Sequence, residues 1–172
     1  RRISSAASDV YKRQLLLDIC PKELNENEVK QNLSLGSKKV KNRIVNDMFQ
    51  KCIKSRPSPI YNKKFLDRIK LGNFEDDIDK INEVDWIIEV VVEKLDIKKS
   101  VFDLVEKHRK TGTIITSNTS GIPIKLMNEG RSDDFKECFA ITHFFNPPRY
   151  LNLFEVVPGP DCKKEILDFL FD

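Results

Sequence analysis

The sequence predicts an α/β fold, doubly wound around a mostly parallel sheet and truncated at both ends. Three observations lead there. Short apolar runs of strand composition alternate with stretches of helical periodicity, the pattern of successive βα units. The runs are continuously apolar, as strands covered on both faces are. No internal repeat, low-complexity tract or interdomain linker interrupts the series.

The elements follow in order. "LLLDICP" (15–21) reads as a buried strand ending in Asp18 and stopped by Pro21. In "KKVKNRIVNDMFQKCIKS" (38–55) Val40, Ile44, Met48 and Cys52 recur every four residues beside Val45, Phe49 and Ile53, which predicts one amphipathic helix. "RPSPIY" ends it, because proline lacks the N–H donor and the residue before it avoids helical backbone. "LGNFEDDIDKINEV" (71–84) is a polar connection to "DWIIEVVVE" (85–93), the strongest strand signal in the chain. "KLDIKKSVFDLVEKHRKTG" (94–112) predicts a helix with Ile97, Val101, Leu104 and Val105 on its inner face and Gly112 as its stop. "TIITSN" is a strand, and "TSGIPIKLMNEG" opens a short helix. "CFAITHFF" and "LNLFEVV" are two further strands, and "CKKEILDFLFD" begins a last helix with nothing evident to pack against.

Charge and composition exclude several classes. The chain of 172 residues carries 30 basic and 27 acidic side chains, thoroughly mixed, which suits a solvated surface and not a nucleic-acid stripe. No apolar run approaches the ~20 residues of a membrane span. Cys20, Cys52, Cys138 and Cys162 show no CxxC spacing, so reduced thiols are expected, with no metal site. The expected location is cytoplasmic.

Residues 1–14, "RRISSAASDVYKRQ", are Arg- and Ser-rich in the manner of an organellar transit peptide. Their second half, Asp-Val-Tyr-Lys-Arg-Gln, resembles the translated end of a transposon adapter, and we expect residues 1–14 to be a non-native leader. Residues 15–172 are then expected to form an incomplete dinucleotide-binding domain of Rossmann type, lacking its first strand and glycine-rich loop.

Four features carry chemistry. Asp18 ends a strand, where a Rossmann-type fold places the acid that binds the adenosine ribose; a plain strand-terminating aspartate has the same appearance. The preceding G-x-G-x-x-G turn is missing, since none of the six glycines forms one. "SNTSG" (117–121) follows a strand, so its small polar groups can cap a helix or face a ligand at the strand's carboxyl end. His143 ends one strand, and Glu155 lies in the next after an Asn-Pro-Pro loop. A strand–loop–strand return would set Glu155 beside the imidazole, where a carboxylate fixes the tautomer and raises basicity. Glu155 stands between Phe154 and Val156, and burial there would require such a partner. His108, in "VEKHRK", is expected to be a solvated surface residue.

"DWIIEVVVEKLDIKK", "TSNTSGIP" and "THFFNPPRYLNLFEVVPGP" together resemble the NAD-binding domain of 3-hydroxyacyl-CoA dehydrogenases, most of all the large enzymes fused to an enoyl-CoA hydratase. The likeness is strongest over 85–160 and extends back to Leu15. It implies NAD as cofactor, a 3-hydroxyacyl-CoA substrate from fatty-acid metabolism, and a homodimeric parent enzyme. It also implies residue roles: His143 as base, Glu155 as its orienting carboxylate, and Asn146 and Ser120 on the substrate oxygen. Glu93, Lys98, Asn118 and Ser120 would contact the cofactor, with Asp18 on its adenosine ribose. The family's phosphate loop would precede Leu15 and its helical domain would follow Asp172, so the chain is expected to be a fragment with little turnover alone. The alternative is a non-catalytic NAD- or CoA-binding module.

Overall fold

The computed structural model of the chain describes residues 13–56, 60, 62–145, 151 and 153–171. The chain divides into two compact units, residues 1–78 and 79–172. Each has its own sheet.

In the first unit, β1 (Gln14–Asp18) pairs in parallel with β2 (Ile69–Asn73), Gln14 opposite Ile69 and Asp18 opposite Asn73. The first of these strands is not buried as expected: Gln14 and Leu16 face outward and the others are partly covered. The second has little strand signal in the sequence, because only Ile69 and Leu71 of its five residues are apolar side chains. Between them run α1 (Glu26–Lys30), α2 (Lys38–Lys41), α3 (Arg43–Lys54) and a 3-10 turn, Lys63–Arg68. A capping box starts α1: Asn25 Oδ1 accepts the Glu28 N–H at 2.9 Å, and Glu28 Oε2 accepts the Asn25 N–H at 2.8 Å.

The helix predicted over 38–55 is broken at Asn42. Its buried Oδ1 accepts from Asn73 Nδ2 at 2.6 Å, so the break brings a polar side chain to the end of β2. The remainder of the predicted stripe is half used, with α3 lying on β1 and β2. Val40 and Val45 are buried, whereas Met48 and Cys52 are exposed. Gly72 is required for a different reason: a Cβ there would come within 2.5 Å of Asp77 Oδ2, the atom that accepts the Asn73 N–H.

The second unit contains a four-stranded sheet in the order β3 (Trp86–Glu89), β4 (Ile114–Ser117), β5 (Phe139–Phe144), β6 (Phe154–Pro158). The first two pairings are parallel and the last is antiparallel. This is the α/β, mostly parallel arrangement that the alternation of elements predicts. The helix α4 (Leu95–His108) crosses from β3 to β4, while α5 (Ile124–Asn128) and α6 (Asp133–Glu137) cross from β4 to β5. The strand expected over 85–93 stops at Glu89, whose side-chain Oε1 takes the N–H of Val91 at 2.6 Å and turns the chain out of the ladder.

The core is an aromatic triangle, Phe102, Phe135 and Phe139, with ring centroids 5.2 to 5.5 Å apart. That triangle selects the inner face of α4. Lys98, Phe102 and Val105 are buried, while Ile97 and Leu104, predicted to face inward, are exposed. The helix ends at His108, before Gly112, which sits in the following turn at φ +80° and donates its N–H to Asp134 Oδ1 at 3.2 Å. His108 is not a free surface residue: its Nδ1 meets Asp79 Oδ1 at 2.6 Å and the ring is mostly covered. The last helix, α7 (Lys164–Phe171), does find a partner. It packs on β6, buries Leu170, and sets Phe169 edge-on to Trp86 at 5.9 Å. All four cysteines are free thiols.

Candidate active site

Parallel pairing aligns the carboxyl ends of β3, β4 and β5. Glu89 stands opposite Ser117, and Ser117 opposite Ile141, two residues before His143. Strand carboxyl ends of this kind form the ligand crevice of open α/β sheets. The segments leaving them carry nearly every polar group that the sequence singles out in this unit.

Beneath this edge lies a buried ion pair. The side chains of Glu89 and Lys98 are each 1% exposed, and Lys98 Nζ reaches both carboxylate oxygens, at 2.9 and 3.0 Å. Ser117 Oγ donates to Glu89 Oε2 at 2.5 Å. A buried charge persists only when paired and hydrogen-bonded, and this carboxylate is both. Lys98 Nζ also stands 3.4 Å from Glu93 Oε2.

Glu93 therefore links the interior to the rim. Its other oxygen, Oε1, accepts the Thr119 hydroxyl and the backbone N–H groups of Ser120 and Gly121, the latter two at 3.2 and 3.1 Å. The Thr119 hydroxyl is the largest influence on its pKa, which falls from an ordinary 4.5 to about 2, helped by the Gly121 N–H and by Lys98 against the opposing cost of desolvation. The carboxylate is ionised across the whole physiological range, and its side chain is 47% exposed.

At the surface, Ser120 Oγ lies 2.9 Å from His143 Nε2, and His143 Nδ1 lies 2.9 Å from Glu155 Oε2. An ionised carboxylate only accepts, so Nδ1 carries the proton. The lone pair is then on Nε2, turned toward the serine hydroxyl. His143 and Glu155 face each other as register partners of the antiparallel β5–β6 pair, the return that the Asn-Pro-Pro loop suggested.

Glu93, Lys98, Asn118, Ser120, His143 and Glu155 all belong to the second unit. Asn118 ties two strands together: its N–H donates to the Glu89 carbonyl and its Oδ1 accepts the Phe144 N–H, at 2.9 and 3.0 Å. Asp18 ends β1 in the first unit, where its Oδ1 accepts the Ile19 N–H at 2.8 Å. Asn146 lies outside the described residues, as does most of the segment expected to be a leader.

One expectation is corrected. Glu155 is not buried, its side chain being 53% exposed. The acid that is buried among apolar neighbours is Glu89, between Ile88 and Val90. The same reasoning about unpaired buried charge, applied to "WIIEVVV", would have found it. Thr119 and Ser117 carry no such signal, since small hydroxyl residues at strand ends are ordinary.

Among the described residues, no group of three or more His, Cys, Asp or Glu side chains is disposed to hold a metal ion. No described helix is long and apolar enough to cross a membrane.

The family model for the 3-hydroxyacyl-CoA dehydrogenase NAD-binding domain matches residues 17–172. The chain is 50% identical over 156 residues to a probable 3-hydroxyacyl-CoA dehydrogenase of Bacillus subtilis, a match covering 91% of this chain and 20% of that protein. It is 41% identical over 142 residues to a probable 3-hydroxyacyl-CoA dehydrogenase of Deinococcus radiodurans, covering 80% of this chain and 41% of the relative. The chain thus spans less than half the length of either. Among solved structures, an (S)-3-hydroxybutyryl-CoA dehydrogenase from Ralstonia eutropha superposes with a TM-score of 0.63 at 23% identity, over 96% of this chain and 52% of the other, a likeness of fold.

Proposed function

The chain belongs to the 3-hydroxyacyl-CoA dehydrogenase NAD-binding domain family, and we propose that it carries the proton-transfer half of that family's reaction, with 3-hydroxyacyl-CoA as substrate. The observation that carries this reading is the series Ser120 Oγ, His143 Nε2, His143 Nδ1, Glu155 Oε2, with both contacts at 2.9 Å. A binding module has no need of an imidazole whose tautomer is set by a carboxylate and whose other nitrogen is offered to a hydroxyl.

In the proposed reaction Nε2 of His143 takes the proton of the substrate 3-hydroxyl. Glu155 stabilises the imidazolium that results and keeps the ring oriented. Ser120 gives up its contact with Nε2 to hydrogen-bond the substrate oxygen, and Asn146 shares that oxygen as charge develops on it. NAD, when bound, would supply the hydride acceptor. The residues present fit a dinucleotide's polar nicotinamide half: a half-exposed carboxylate at Glu93, ionised at physiological pH, and the hydroxyl of Ser120, both in segments that leave the carboxyl ends of parallel strands. Glu93, Asn118 and Ser120 would hold it, with Lys98 behind Glu93 and Asp18 as the ribose acceptor. A homodimeric, cytoplasmic parent enzyme completes the proposal.

The test uses the complete open reading frame that encodes this chain. His143→Gln is expected to lower acetoacetyl-CoA reduction by about 10²–10⁴-fold, the usual contribution of a positioned base, while NADH fluorescence titration gives an unchanged affinity. Near-native turnover in that variant removes His143 as the base. NADH binding without any hydride transfer in the unmutated protein establishes the non-catalytic binding module instead.

A further inference from the structure

Glu89 is a fully enclosed acid with no part in the proton transfer, yet its partners lead in steps to the residue that faces His143. Its two oxygens take Ser117 Oγ, the Val91 N–H and, on both sides, Lys98 Nζ. These contacts hold Lys98 in one place. From there the ammonium reaches Glu93 Oε2 at 3.4 Å. The opposite oxygen of Glu93 gathers Thr119, Ser120 and Gly121. Glu93 is thus a two-ended carboxylate with one oxygen on a buried cation and the other on three successive residues of the loop that carries Ser120.

We propose that Glu89 is a positioning residue: through Lys98 it fixes the rotamer of Glu93, and through Glu93 it holds the 119–121 loop with Ser120 in reach of His143. The inference rests on the proposed function only for its catalytic consequence, since the coupling itself is a property of the fold. Its physical basis is charge balance. With Glu89 ionised, Lys98 is already neutralised and Glu93 is free to give Oε1 to the loop. With Glu89 made neutral, Lys98 loses the contacts that hold it in one place. With both side chains replaced, Glu93 Oε2 has no ammonium to anchor it. In either case the rotamer that gives Oε1 to the Ser120 and Gly121 amides is no longer fixed. Lys98 then acts on a ligand through Glu93 and not by direct contact, in keeping with its 1% exposure.

The experiment is amide hydrogen exchange by NMR on this chain, comparing unmutated protein with Glu89→Gln and with Glu89→Gln/Lys98→Met. The double variant removes both buried charges at nearly constant volume, a replacement that folds commonly tolerate. In both, exchange at Ser120 and Gly121 is expected to accelerate by about 10-fold or more, as for a locally released segment, while the Ile115 amide in β4 keeps its protection. Unchanged exchange at both loop amides in folded variants overturns the proposal. Loss of protection throughout the sheet in both variants also overturns it, because the pair is then a general stability element. NADH titration of the protein encoded by the complete open reading frame addresses the proposed function separately: absence of binding there weakens that reading and leaves the coupling result intact.

Discussion

His143 and Glu155 stand directly opposite each other across the β5–β6 pair, and the carboxylate accepts from Nδ1 at 2.9 Å. The antiparallel return is what makes a proton acceptor of Nε2, because the other ring nitrogen is committed as donor. Replacing the acceptor-only carboxylate with an amide removes that commitment. Glu155→Gln in the complete enzyme is expected to lower kcat by about 10²–10⁴-fold, as loss of an orienting carboxylate does elsewhere. Steady-state kinetics and NADH titration check it: kcat should fall, while cofactor affinity holds.

The low pKa of Glu93 has a definite sign. A carboxylate whose folded pKa lies below its ordinary value contributes stability above the ordinary value and loses it as pH falls through the folded one. Its hold on the 119–121 loop is therefore complete above pH 4.5 and is lost as the pH drops toward about 2. Thr119→Val removes the largest cause and should move the titration back toward 4.5. Carbon-detected NMR of the Glu93 carboxyl during an acid titration measures both.

Gly72 and Gly121 separate steric need from mere occurrence. An alanine Cβ at 72 meets Asp77 Oδ2 at 2.5 Å and Asp77 Cβ at 2.9 Å, so the aspartate cannot swing clear, whereas nothing lies within 4 Å at 121. Gly72→Ala is expected to destabilise by about 1–3 kcal/mol, as overpacking does. Gly121→Ala, which keeps its N–H, should stay within about 0.5 kcal/mol. Urea unfolding of the two variants decides.

The cysteines should react in the order of their surroundings. Burial, with Asp134 nearby, pushes the Cys138 thiol up, and burial also raises Cys162 and Cys20, while Cys52 is exposed on α3. A disulfide reagent at pH 8 should therefore label Cys52 first and Cys138 last, because the thiolate is the reacting form. Mass spectrometry of a time course reads the order.

The aromatic triangle should dominate the stability of its unit. Phe102→Ala removes a side chain with no exposure and contacts to both Phe135 and Phe139. A loss of about 3–5 kcal/mol is expected for such a cavity, measured by the shift in urea midpoint.

Much of this was legible along the chain. The alternation of apolar runs with helical periodicity determined the α/β class. The spacing of His143, the Asn-Pro-Pro loop and Glu155 determined the dyad, because both partners lie on adjacent strands and a short return can bring them together. "SNTSG" after a strand left two readings open, a helix cap or a ligand edge. These are local or near-local facts, and strand and turn chemistry suffices to read them.

Tertiary structure decided what depends on which face a segment turns inward. In α4 two stripes of equal period compete, and Phe102, by joining Phe135 and Phe139, buries Lys98 and leaves Ile97 outside. That rotation carries the ammonium under the sheet, where Glu89 meets it at 2.9 Å and Glu93 at 3.4 Å. It also reverses the assignment of the buried acid. Glu155, flanked by Phe154 and Val156, stays half exposed, with His143 on one of its oxygens. Glu89, flanked as apolarly, cannot escape burial, because its strand end is enclosed by α4. Apolar neighbours in sequence alternate across a strand and say nothing about which face is covered. The cost of burying charge is the same at both positions, and only the fold determines where it has to be met.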